Sequence, residues 1–155
     1  MAQVSKERNS LFIGNPKSLK KKVIKGSRKD IIRYAELFIG VDYKWGGDDS
    51  SGMDCSGFIQ RVMVKNGYYL NHSAKDQSEK GKEISIKQAT SGDLIFFGKK
   101  YTNNRFKIDH VAIVHHIENK QVVVIHCTSK GTNIQKLVKG DYWSRRLLFI
   151  KNIID

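Results

Sequence analysis

The apolar residues of this 155-residue chain change period part-way along it, and that change limits the fold more than any other feature. Up to about residue 80 they recur at helical spacing. Ile31, Tyr34, Ala35 and Phe38 make one such face, and Phe58, Ile59, Val62 and Met63 make another. From residue 93 onward the apolar runs are short and rich in β-branched side chains, at 93–97, 111–117, 121–127, 133–138 and 147–153. Helices first and strands afterwards predict an α+β chain, with N-terminal helices packed on a central antiparallel sheet of about five or six strands.

Local signals divide the chain further. Ser27 or Asp30 can cap a first helix that runs to about Ile39 and stops at Gly40. A glycine-containing loop at 43–52 leads to a second helix that begins near Cys55 and ends at Asn66-Gly67. A short helical turn is expected over 73–80. Residues 111–117 and 121–127, joined by Glu118-Asn119-Lys120, read as a hairpin. Residues 1–27 carry Lys17, Lys20, Lys21, Lys22 and Lys25 around the single proline, Pro16, and read as a basic lead-in arm before one domain at 28–155. No apolar run approaches the roughly 20 residues that span a bilayer. No apolar stretch follows the charged N-terminus either, so no signal peptide is visible.

The net charge of +13 attracts polyanions, whether nucleic acid, anionic lipid or the acidic polymers of a bacterial envelope. A role in binding nucleic acid without catalysis is an alternative that the basic run allows. It lacks support from any nucleic-acid motif or from aromatic residues interleaved with the lysines. The two cysteines, Cys55 and Cys127, are too few for a disulfide framework and form no C-x-x-C pair. Together with His110 and His126 they have the ligand types of a metal site. However, only His126 and Cys127 are close in sequence, and adjacent strand residues diverge. Strand alternation likewise turns only one of His115 and His116 outward.

Cys55 falls at the first turn of the second helix. Unpaired backbone N–H groups and the positive end of the helix dipole there favour a thiolate, and the same groups can hold an oxyanion. His110 opens one strand of the hairpin and His126 closes the other. Paired residues in a hairpin have numbers with a constant sum. A sum near 236 or 238 sets the two imidazoles on one face, whereas an odd sum sets them on opposite faces. On one face they have the arrangement of a base and its orienter: His110 takes the Cys55 proton, and His126 holds the other nitrogen of His110. Cys127 then points away from His126 as a core thiol, unbonded to Cys55.

The motifs Asp54-Cys55-Ser56-Gly57-Phe58, Gly92 through Phe97, His110-Val111-Ala112-Ile113-Val114 and Ile125-His126 resemble, in order and spacing, the NlpC (NlpC/p-sixty) family of cell-wall cysteine peptidases. The loop at 43–47 resembles that family's tyrosine-containing loop, and Gln77 matches a glutamine after its nucleophile helix. The similarity covers roughly residues 28–130. It implies a papain-like fold, a Cys-His-polar triad and no metal or cofactor. It also implies hydrolysis of the bond between D-glutamate and the diamino acid of peptidoglycan stem peptides. Carried over by position, Cys55 is the nucleophile, His110 the base and His126 the orienter. Tyr43 lines the site, and Asp54 and Ser56 border the substrate's amine and carboxylate. Where the family often has Leu-Pro-Arg-Thr-Ser, this chain has Leu70-Asn71-His72-Ser73-Ala74. The basic segment at 98–107 is a longer insert, expected as a wall of the groove. The resemblance also implies action at the cell envelope or after secretion. A triad of this type can alternatively serve an amidase, an acyltransferase or a delivered toxin.

Overall fold

The computed structural model describes residues 23–155; residues 1–22, most of the basic lead-in, lie outside the described residues. Helix α1 (Arg28–Glu36) starts at a reciprocal cap. The Ser27 hydroxyl accepts from the Asp30 N–H, and the Asp30 carboxylate accepts from the Ser27 N–H at 2.8 Å. Ile31 and Ala35 face inward and are fully buried. Gly40, at φ +89°, turns the chain out of the helix in a backbone shape that other residues resist. A two-strand hairpin that the loop composition does not signal, β1 (Asp48–Asp49) with β2 (Gly52–Met53), then leads into α2 (Cys55–Lys65). Asp54 caps α2 by accepting the Gly57 N–H at 2.7 Å, and Gly67 at φ +86° lies just past its end. The short helix α3 (Ala74–Ser78) starts from Ser73.

The remaining elements build the sheet. Strands β3 (Lys82–Ile84), β4 (Leu94–Lys100), β5 (Phe106–Glu118), β6 (Gln121–Thr128), β7 (Gly131–Lys136) and β8 (Leu147–Asn152) form one antiparallel six-stranded sheet. Its order is β3-β8-β4-β5-β6-β7. A five-residue helix, α4 (Tyr142–Arg146), interrupts the return from β7 to β8. Alternation along the strands splits the core in two. Phe96, Val111, Ile113, Ile125 and Cys127 pack under the helices with Phe58 and Ile31. Ile95, Phe97, Ala112, Val114 and Val124 pack on the other side with Ile150 and Trp143. The chain is therefore α+β, helices before sheet.

Two features depart from the sequence expectation. Half of the segment at 98–107 is strand, prolonging the β4–β5 ladder to Lys100↔Phe106 past an irregularity at Phe97/Gly98. Its Lys100, Phe106 and Lys107 line a separate cavity of about 940 Å³, away from Cys55. The hairpin tip is also tighter than a three-residue connection. Glu118 pairs with Gln121 across Asn119 and Lys120, both at positive φ (48° and 64°), the two-residue turn whose twist suits antiparallel strands. At that end paired numbers sum to 239, as in His116 with Val123, which is odd. An irregularity between Val114 and His116 gives β5 one extra residue, His115, and beyond it the sum is 238, as in Ile113 with Ile125. The same irregularity suspends alternation, so His115 and His116 are both half-buried, with their Nδ1 atoms 2.7 Å apart.

Candidate active site

With an even sum, His110 and His126 stand on one face as a diagonal pair, and they meet. His110 Nε2 lies 2.9 Å from His126 Nδ1, and both side chains are buried, His126 completely. Trp143 covers them, its ring centre 4.4 Å from that of His110 and 5.0 Å from that of His126, with Phe97 packed against both, 5.6 Å from His110 and 5.3 Å from Trp143. Arg146, one turn along α4, forms an ion pair with Asp109 beside His110 and so ties the tryptophan's helix to β5.

Cys55 comes from the opposite face. It packs with the helix-side cluster, at the first position of α2. Thiol and imidazole can share a cleft because the sheet opens there. The β5–β6 pairing extends from the tip only as far as Ile113↔Ile125, while β5 continues back to Phe106 and β6 on to Thr128. In that fork the thiol lies near the backbone amides of Val111 and Ser56, which favour its ionised form. A cleft of about 1090 Å³ is lined by Cys55, Tyr43 and Cys127 from one side and by His110, Gln135 and Trp143 from the other. Cys127 is a free, buried thiol that donates to the Met53 carbonyl at 3.1 Å.

The other residues singled out from the sequence are placed as follows. Tyr43 is on the cleft wall, bridged to Met53, and its hydroxyl is harder to ionise than usual through burial and the nearby Asp54, Cys55 and Cys127. Asp54 holds the loop to the helix. One carboxylate oxygen accepts the Gly46 N–H at 2.9 Å, and the other accepts from Gly57 and meets His72 Nε2 at 2.6 Å. Ser56 is buried, and its hydroxyl donates to Asp54 at 3.3 Å. Gln77, also buried, donates to the carbonyls of Ser56 at 3.0 Å and Asn71 at 2.7 Å, bracing the start of α2. Among the described residues no group of three or more His, Cys, Asp or Glu side chains is arranged to hold a metal ion. Sequence reasoning missed Trp143 and Gln135, the second of which accepts from His126 Nε2 at 3.1 Å.

Electrostatics correct one expectation. The helix terminus does supply donors to the sulfur, yet burial outweighs them and pushes the Cys55 thiol up to about 11. Burial lowers His110 to about 3, helped by the charges of His126 and Arg146. Burial also lowers His126 to about 4, against the opposing bond to Gln135. At neutral pH the pair therefore rests as thiol and neutral imidazole. Both imidazoles take up protons more readily in the unfolded chain, whose histidines titrate near 6.5. Between pH 6.5 and 4 the unfolded chain then binds protons that the folded one does not, so stability is complete above pH 6.5 and falls as pH drops. Each imidazole withdraws about 1 kcal/mol per pH unit in that window. The melting temperature should thus decline from pH 7 to 4.5, above the titration of ordinary carboxylates, and His110→Gln should flatten the decline. A level melting temperature in the wild type across that range would contradict neutral buried imidazoles.

A family model described as NlpC/P60 family matches residues 40–152. A gamma-D-glutamyl-L-lysine dipeptidyl-peptidase of Bacillus subtilis (strain 168) is 38% identical over 89 residues, covering 57% of this chain and 29% of that protein. A bifunctional muramidase/DL-endopeptidase, CwlT, of the same organism is 34% identical over 131 residues, covering 82% of this chain and 38% of that one. This chain therefore spans less than half the length of either relative. The crystal structure of an NlpC/P60 family protein from Bacillus cereus ATCC 10987 superposes with a TM-score of 0.73 at 24% identity, over 86% of this chain and 42% of that one, a likeness of fold.

Proposed function

This chain belongs to the NlpC/P60 family, and from that premise we propose that it is a cysteine endopeptidase of peptidoglycan stem peptides, cutting between D-glutamate and the diamino acid. The observation that carries the reading is a single cleft lined by the Cys55 thiol and the His110 imidazole, the latter bonded to His126. The choice of bond is supported by the relatives' names, one a gamma-D-glutamyl-L-lysine peptidase and one a DL-endopeptidase.

In this reading His110 takes the Cys55 proton as the sulfur attacks the peptide carbonyl, so the thiol ionises only as its bond to carbon forms. The carbonyl oxygen becomes an oxyanion beside the first N–H groups of α2, which have no acceptor within the helix. The His110 proton then passes to the leaving amine, the tetrahedral intermediate collapses, and an acyl-enzyme remains. Water, deprotonated by the same imidazole, attacks the thioester, and the C–S bond breaks. The sulfur takes the proton back from His110 as the D-glutamyl product leaves as a carboxylic acid that ionises in water. Tyr43 lies on the wall beside the sulfur, where its hydroxyl can donate to the same oxyanion. Asp54, tied to Gly46, Gly57 and His72, keeps the wall of the groove in register with the nucleophile.

Digestion of purified peptidoglycan followed by mass analysis of the fragments tests this. New D-glutamate carboxyl ends are expected. Fragments cleaved at the amide between sugar and L-alanine would make the same triad an amidase, and an undigested wall would remove the peptidase reading.

A further inference from the structure

The line of nitrogen atoms that leads away from Cys55 does not stop at His126. His126 Nδ1 lies 2.9 Å from His110 Nε2, and its Nε2 lies 3.1 Å from Gln135 Oε1. An amide oxygen has lone pairs and no proton, so the His126 Nε2 that faces it carries one. A neutral imidazole has only one such proton, so His126 Nδ1 is a lone pair, and it must receive the His110 Nε2–H. The lone pair of His110 is thereby assigned to Nδ1, the nitrogen that His126 does not engage.

We propose that Gln135 is a positioning residue which fixes the tautomers of both imidazoles and so keeps His110 Nδ1 unprotonated, ready to take the thiol proton. Its first half rests on geometry alone, and its second half on the peptidase reading of Cys55 and His110. When His110 becomes an imidazolium it still donates from Nε2, so both bonds point the same way before and after the proton moves, and nothing reorganises. Without the acceptor, a proton on His126 Nε2 would be buried and unpaired. Moving it to Nδ1 relieves that, but His126 then donates to His110, and the His110 proton is forced onto Nδ1, the nitrogen that should be empty.

The fold explains why a glutamine can do this. Gln135 pairs with Val124 across the β6–β7 ladder, and His126 is two residues further along β6 on the same face, within diagonal reach of a long side chain. Gln135 sits on an edge strand and is half-buried on the cleft wall, so substitutions there leave both halves of the core intact.

The test compares the full chain with Gln135→Leu, of similar size and no acceptor, and Gln135→Glu, which keeps an acceptor oxygen at the same reach. Nitrogen-15 NMR of the imidazoles at pH 8, where both are neutral, should find His110 and His126 protonated on Nε2 in the wild type and in Q135E. In Q135L it should find both protonated on Nδ1. For stem-peptide hydrolysis, kcat of Q135L should fall about 10- to 100-fold, with KM changed by less than about twofold and Q135E retaining most of the wild-type rate. Unchanged tautomers in Q135L, or a Q135E as impaired as Q135L, would overturn the proposal. The tautomers are read whether or not peptide is cut. A wild type that cuts no peptide would count against the peptidase pair, while tautomers that follow residue 135 would still uphold the positioning role.

Discussion

Cys55→Ala lowers stem-peptide hydrolysis to background, a loss of at least about 10³-fold, because the acyl intermediate forms on its sulfur beside His110. The only other thiol on the cleft wall, Cys127, is buried in the helix-side core with its proton donated to the Met53 carbonyl. Cys55→Ser should be nearly as inactive. An imidazole whose basicity burial has lowered to about 3 is a poor base for an alcohol, which gives up its proton far less readily than a thiol. Stability should change little, since the truncation removes a single sulfur atom from a half-buried position on the cleft wall. A melting temperature within about 4 °C of the wild type is expected. The measurement is a turnover assay on defined muropeptides beside a thermal melt. Substantial residual turnover by a folded Cys55→Ala protein would rule out Cys55 as the nucleophile.

The second large effect is structural and is expected at Gly57, two residues into α2. A Cβ built there would lie 2.0 Å from the Gly47 carbonyl oxygen and 2.9 Å from both Asp54 Oδ1 and His72 Nε2. The first of these contacts is backbone and cannot be relieved by rotating a side chain. Gly47 is itself held by paired hydrogen bonds, its N–H to Lys44 and its carbonyl to the Asp54 N–H at 3.0 Å. Gly57→Val must therefore pry the 43–47 loop from the helix that carries the nucleophile, breaking the Asp54 cap as it does so. Overpacking and a lost cap together should cost about 3 kcal/mol or more. Activity should fall even in whatever fraction stays folded, because Tyr43 and Cys55 belong to the two parts being separated. A chemical denaturation midpoint close to the wild type would show that the loop yields and the contact does not matter.

Much of this arrangement is legible in the sequence. Period marks the helices and strands because burial on one side of an element leaves a regular trace, and Ser27 marks the first helix start because an orphan N–H needs an acceptor nearby. Cys55, His110 and His126 could be picked out by chemistry and position. Gln135 and Trp143 could not. The role of Gln135 depends on the register between β6 and β7, a relation between strands that a single strand's sequence does not record. Trp143 sits in a five-residue helix, too short to impose a period of its own. The ionisation of Cys55 departs from the sequence expectation for a related reason. The helix terminus is local and readable, whereas the burial that outweighs it arises from tertiary packing that the local sequence does not record.

Even the agreement on the imidazole pair has an unexpected origin. A three-residue connection would give an even pairing sum directly. The chain instead makes the two-residue turn, which gives an odd sum, and then corrects it with His115. The extra residue uncouples the two ends of the ribbon. The outer end obeys strand twist and solvent, the inner end obeys proton transfer, and neither dictates the other's phase. Residues 118–121 can accordingly be rewritten with any sequence that makes a two-residue turn without rotating an imidazole out of place. Were the pairing instead to run at 239 throughout, with His115 taken into the ladder and no extra residue, inside and outside would exchange along the whole inner stretch and Val111 would turn toward Trp143 in place of His110.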